Sequence, residues 1–415
     1  MRVLTLVVAA AGLLVVSASG ASTGAVPSRL QLLGHVDPAD GYNGDVWGHR
    51  AFAYLSSWRG GTCPALGVRV YSLRNTRAPK HISTFADSAS EPSLARTWTE
   101  KTIVRHIATP SFVGELAVSS IQACQQGAFQ GFGLFDVTHP ARPRTLALVR
   151  TDPAGSHEIW LQPKGRHAYV YTAIPFSELN SSPDGGQNPG QADFRIYDVT
   201  DPTRPAEVGE WGAWRALGIR PDAGPRRNFA HSVITNATAT RAYLSYWDLG
   251  TVILDISRPA KPRYLGRTMP DQGSAHSSAV SADGRILIET HETLGGHPTI
   301  WNITNPRRPR RLAVFDLPVR SALPANAPSS STGVHDPKLL SKRAYFSWYQ
   351  RGVAVADISR PAHPRLLAQF VPPSTFDVDG SLCEEDCTMV WGVYPTAKYV
   401  LASDMLSGLW VLRLR

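Results

Sequence analysis

Four histidines occupy one place in a recurring pattern. His157, His231, His276 and His335 each stand at or just before the start of a strand-like run, in HEIWL, HSVIT, HSSAV and HDPKL. Where the following strand returns to the same end, the chain carries His291-Glu292 in IETHETLGGH, Asp248 in SYWDLG and Asp404 in LASDMLSG. Neutral imidazoles completed by a carboxylate suit borderline transition metals. The expectation is therefore one ion of Cu, Zn, Ni or Fe held by His231, His276, His291, Glu292 and His335, with a position open for water or substrate. His157, His231, His276, Asp248, Asp404 and Trp391 are expected to line the rim of the same site, and His106 stands at the matching place in a weaker repeat. A structural reading competes with the chemical one. A repeat consensus repeats its structural residues too, and a His at a strand start can serve hydrogen bonding inside its own repeat.

The element that must position these residues is a strand followed by a Pro-bracketed turn. It recurs as GFGLFDVTHPARPRTLAL from Gly131, DFRIYDVTDPTRPAEVGEW from Asp193, TVILDISRPAKPRYLGR from Thr251, TIWNITNPRRPRRLAVF from Thr299 and GVAVADISRPAHPRLLAQF from Gly352. A weaker copy starts at Gly67, and the closing GLWVLRLR is a seventh copy without its turn. The acidic position runs Asp136, Asp198, Asp255, Asn302 and Asp357, at spacings of 47 to 62 residues, the period of four-stranded propeller blades. Two alternating runs joined by a tight polar turn precede each copy, which makes each repeat four strands, a to d. The seventh lacks strand d, but RLQLLGHV (Arg29 to Val36) resembles the other d strands. The expected fold is all-β: a seven-bladed β-propeller of four-stranded antiparallel blades over residues 28–415, its ring closed by the N-terminal strand.

On the strength of ILDISRPAKP, LFDVTHPARP, VADISRPAHP and the closing WGVYPTAKYVLASDMLSGLWVL, the sequence resembles the LVIVD-repeat family of exported bacterial β-propellers. The resemblance covers nearly all of the chain beyond its first segment. It implies the fold and leaves the activity open, since propellers host many chemistries. More distantly, channel-facing His residues make it look like the selenium-binding and methanethiol oxidase propellers, a likeness that implies metal dependence.

In such a blade the a–b and c–d turns emerge on one face and the d–a and b–c loops on the other. The first set is tight here. The long insertions, Asp87 to Lys101, Pro175 to Ala192, Gly212 to Phe229, Pro318 to Val334 and Pro372 to Cys387, all belong to the second set, on the face where the His residues gather. The Asp residues before the Pro turns read as backbone caps. Trp47, Trp247, Trp348 and Trp391 recur at strand ends and read as packing residues.

Composition narrows the function classes. With 18% charged residues, 34 Gly, 32 Pro and 11 Trp in 415 residues, a coiled coil, a helical bundle and a disordered chain are excluded. Val3 to Val16, after Met1-Arg2 and before the small residues Ser17 to Ala25, reads as the apolar core of a secretory signal peptide over 1–25 and is short for a membrane span. The protein is expected to be extracytoplasmic, secreted or in the cell envelope, with no membrane span after cleavage. Four Cys in an exported chain read as disulfides: Cys63 with Cys124 between neighbouring b–c loops, and Cys383 with Cys387 around a small local loop. Metal binding by that last segment, with Glu384, Glu385 and Asp386, is the lesser alternative. The charge of +9 is almost all Arg, dispersed over the Pro turns, so nucleic acid is not an expected partner. No nucleophile elbow, P-loop, zincin or dinucleotide motif is present, and no catalytic residue is singled out. The expected function is that of a monomeric binding module acting through the loop-rich face on a small molecule or a cell-envelope protein. The alternative is a metal-dependent oxidoreductase or hydrolase with its His-rich site at the channel mouth.

Overall fold

The computed structural model describes residues 30–59, 63–151, 153–317, 333–377, 379–380, 382–383 and 386–415. The signal-peptide expectation falls on residues outside these. So do Glu384, Glu385 and most of the Pro318 to Val334 loop.

Seven antiparallel sheets of strand order a-b-c-d form the fold. Their innermost strands are Asn43–His49, Thr102–Ala108, Glu158–Lys164, Ser232–Thr235, Ala275–Val280, Pro337–Leu340 and Val390–Pro395, and each touches its neighbours on both sides so that they surround one channel. The last sheet is completed from the other end of the chain. Leu30–Val36 pairs antiparallel with Gly408–Leu414, from Leu30 opposite Leu414 to Val36 opposite Leu409. This completes the outer edge of the seventh blade and closes the ring.

Two devices repeated in the sequence set the blade spacing. The Asp that ends strand c accepts the backbone N–H two residues on, as Asp136 does from Thr138 at 3.0 Å, Asp255 from Ser257 at 2.9 Å and Asp357 from Ser359 at 2.8 Å. Its other oxygen meets the Arg that opens strand d, in the pairs Asp136–Arg144, Asp255–Arg263 and Asp357–Arg365. In all seven blades a register shift then interrupts the c–d ladder at the same point. Glycine lies beside that bulge where the Pro turn of the next blade crosses. A Cβ on Gly209 would stand 2.0 Å from the Pro259 carbonyl oxygen, and one on Gly266 would stand 2.3 Å from that of Pro306.

The apolar core lies between blades. Phe132 and Leu134 of the second pack with Ile159, Val170 and Tyr197 of the third, with the Phe132 and Tyr197 rings 5.0 Å apart. Among the described residues the long loops carry the helical segments, the single turn Pro92–Leu94 and the helices Ser177–Asn180 and Ala213–Leu217. The short strand Thr97–Trp98 pairs with strand b of the second blade, Val113–Ala123. These elements were not anticipated by the strand periodicity. Their anchors are buried carboxylates: Glu178 accepts the N–H groups of Trp214 and Arg215, both at 2.9 Å, which fixes the start of Ala213–Leu217. All four cysteines are bridged, Cys63 to Cys124 and Cys383 to Cys387, each pair with Cα atoms 6.3 Å apart. No helix among the described residues is long and apolar enough to cross a membrane.

Candidate functional site at the channel mouth

Each innermost strand starts at the loop-rich face, so the residues just before it ring the mouth of the channel. The structure brings His157, His231, His276 and His335 together there as an arc of neighbouring imidazoles. Ring centroids are 4.3 Å apart from His157 to His231, 4.1 Å from His231 to His276 and 4.2 Å from His276 to His335. Trp391 ends the arc, 4.0 Å from His335.

The hydrogen bonds fix which nitrogen faces the channel. His231 donates Nδ1–H to the His276 carbonyl at 3.1 Å, and His276 donates Nδ1–H to the His335 carbonyl at 2.8 Å. With Nδ1 committed as donor, a neutral imidazole presents Nε2 as a lone pair. Burial, followed by the neighbouring imidazoles, pushes both rings well below the usual His range, so the neutral form is the one present. His335 is also held well below that range, by burial and then by Lys101.

Glu292 supplies the carboxylate. Its Oε2 lies 3.4 Å from His276 Nε2, and Tyr349 donates its hydroxyl to Oε1. Among the described residues, the group of His, Cys, Asp or Glu side chains able to share an ion is His231, His276 and Glu292, with ligand atoms within 4.8 Å of one another. Ligands about 2.1 Å from a tetrahedral ion stand roughly 3.4 Å apart, the separation His276 and Glu292 already have.

His157 lies on the edge of this group. Its Nε2 is 2.8 Å from His231 Nε2, and its Nδ1 is 2.8 Å from Glu100 Oε2. Burial works against charge on His157, but Glu100 outweighs it and holds the ring above the ordinary His range.

The other residues expected at the site take different roles. His291 turns into the fifth blade: its Nδ1 meets the Gly273 carbonyl at 2.7 Å, and its Nε2 lies 3.4 Å from Glu289, away from His276. His291 is the last residue of strand Ile286–His291 and shares a face with Glu289, whereas Glu292, just past the strand end, reaches His276. Asp248 accepts backbone N–H groups from Arg227 and Ser274, and Asp404 from Met389, Leu406 and Ser407, so both fasten loops. His106 is exposed and pairs with Glu115 at 3.0 Å in the a–b hairpin, away from the arc. The cysteines of the Cys383 to Cys387 segment are joined to each other.

Sequence reading missed a second layer, one residue further along each strand. Lys101, Glu158, Ser232, Ser277 and Asp336 follow Glu100, His157, His231, His276 and His335. Lys101 Nζ lies 2.5 Å from Glu158, 3.5 Å from Asp336 and 3.6 Å from Asp45, drawing the first, second, third and sixth blades together across the channel. Burial alone would strip its proton, but Asp336, Glu158 and Asp45 keep it charged, well above the usual Lys value.

A closed ring of seven four-stranded blades with a polar, His-lined mouth defines an all-β propeller with a central site. The LVIVD repeat model matches residues 242–269, from strand b of the fourth blade to just past its strand d, so this chain carries an LVIVD repeat. No curated protein matches the sequence. Among solved structures, the chain is similar to Raptor of Chaetomium thermophilum, with TM-score 0.59 and 11% identity over 94% of this chain but only 30% of that one. It is also similar to the computationally designed Ika8 protein, with TM-score 0.51 and 8% identity over 93% of this chain and 100% of that one. At these identities the likeness is one of fold alone.

Proposed function

We propose that the protein is an exported binding module that engages its ligand through the loop-rich face, with one transition metal ion held by His231, His276 and Glu292 at the channel mouth. The observation that carries this reading is the convergence of two buried imidazoles, each with Nδ1 committed to a backbone carbonyl, on one partly buried carboxylate. Ordered Nδ1–H partners are what metal-bound His residues use to fix tautomer and orientation. The surroundings support ligand binding. Leu217, Met269, Leu294, Val371 and Phe376 are large apolar side chains exposed in loops of this face, and partly exposed Trp58, Trp98 and Trp247 stand around the mouth. Export is supported by the apolar run Val3 to Val16 and by two disulfides.

The test is elemental analysis of untagged protein before and after chelator dialysis, beside the double variant His231→Ala/His276→Ala. Near-stoichiometric Cu, Zn, Ni or Fe that the double variant loses while keeping its thermal transition supports the reading. A folded wild-type protein that takes up none of these ions overturns it. A metal-dependent oxidoreductase or hydrolase is a second reading, favoured by the ligand count: three protein ligands leave a position for water. Turnover of redox or ester substrates by metal-loaded protein, absent in His276→Ala, separates the enzyme from the module.

A further inference from the structure

Beyond Lys101 the channel opens again toward the plain face. A chamber of about 150 Å³ lies there, with Lys101, Glu158 and Asp336 at its inner end and Trp160, Ile234 and Val280 among its walls. Three carboxylates, Asp45, Glu158 and Asp336, face two ammonium groups, Lys101 and Lys338, the second pairing with Asp336. The inner end is thus one positive charge short. Among the residues lining the chamber, two polar atoms have no hydrogen-bond partner. Glu158 Oε1 accepts no hydrogen bond although the residue is 2% exposed, and Ser278 Oγ is unpaired on a residue 4% exposed. A buried carboxylate oxygen without a donor is costly, and a cationic N–H donor is its natural complement. Burial, with Glu100 and Asp336 adding to it against Lys101, pushes Glu158 up to about 7, in keeping with that deficit.

We propose that this chamber binds a small aliphatic primary amine as its ammonium ion. The N–H groups serve Glu158 Oε1 and Ser278 Oγ, and the alkyl chain lies along Trp160, Ile234 and Val280. The volume is that of about five waters, which suits an alkylammonium of roughly four to six heavy atoms. The site shares no residue with the metal centre of His231, His276 and Glu292.

The experiment is calorimetric titration of the whole protein with n-butylammonium chloride, with n-butanol and sodium butyrate as neutral and anionic probes of the same size. Saturable 1:1 binding of butylammonium is expected, with both controls at least tenfold weaker. Ser278→Ala should weaken binding severalfold. Val280→Trp should fill the chamber and abolish binding while the metal content stays at the wild-type level. Absence of saturable binding at millimolar butylammonium, equal binding of butanol, or wild-type affinity in a folded Ser278→Ala protein would overturn the proposal.

Discussion

Lys101 Nζ stands 2.5 Å from Glu158 Oε2, an ion pair that joins the second and third blades across the inside of the ring, with Lys101 5% and Glu158 2% exposed. Water reaches neither partner freely, so each depends on the other for what solvent would supply.

Replacing Lys101 by Met leaves Glu158, Asp336 and Asp45 facing one another with only Lys338 nearby. The expected loss is about 3–5 kcal/mol of folding stability, the cost typical of breaking a buried pair from one side. Denaturant unfolding followed by Trp fluorescence measures it, and a loss below 1 kcal/mol would mean that water already screens the cluster.

Tyr349 donates its hydroxyl to Glu292, and its ring stands 5.5 Å from that of His335. Tyr349→Phe removes only that donor. A ten- to hundredfold drop in metal affinity is expected, as for other partners of ligating carboxylates, with the thermal transition little changed. Competition with a chromophoric chelator gives the number.

Gly266→Ala puts a methyl group 2.3 Å from the Pro306 carbonyl oxygen and 2.9 Å from Arg307 Cα, both backbone atoms that cannot swing aside. The turn of the fifth blade must shift, at about 1–3 kcal/mol. Gly284→Ala, in open space but at positive φ, is the control for backbone strain alone.

Asp193 gives stability a pH slope. Burial and then Glu178 raise it to about 7, against hydrogen bonds from the Glu178 and Ala230 N–H groups and the Tyr246 hydroxyl. The folded chain therefore keeps this proton up to near pH 7, whereas the unfolded chain releases it near pH 4. Between these values the unfolded state binds fewer protons, so stability falls as pH rises through the window. Asp193→Asn should make that part of the stability curve less steep, and melting temperatures of the variant and the wild type from pH 4 to 7 test it. Glu178, Glu158, Glu292 and Asp45, also raised by burial, leave the remaining slope.

Reduction should cost more at Cys63–Cys124, which closes a loop of 61 residues, than at Cys383–Cys387, which closes one of 4. Loop-closure entropy puts the two at about 4 and about 2 kcal/mol. Paired Cys→Ala variants, melted separately, rank them.

The blades were legible because the capping Asp and the Pro turn that follows it repeat in sequence for the same reason they repeat in space: each turn must cross the strand of its neighbour. The His arc was legible by the same phase. Its partners were not. In the first two blades the matching positions hold Gly44 and Glu100 instead of His, and the charges one residue further along, Asp45 and Lys101, carry no local sign that they point into a channel. His291 was less legible: it follows Glu289 into the blade, two residues back on the same strand face, while Glu292 lies just past the strand end and turns to the arc.

The ladder between Leu30–Val36 and Gly408–Leu414 also fixes how the described chain sits relative to its two faces. Strand a runs from the loop-rich face to the plain one, so antiparallel order brings Leu30 and Leu414 to the plain face together. The chain therefore enters the ladder at Leu30 and reaches Leu414 on the plain face, and the His-lined mouth opens on the opposite one.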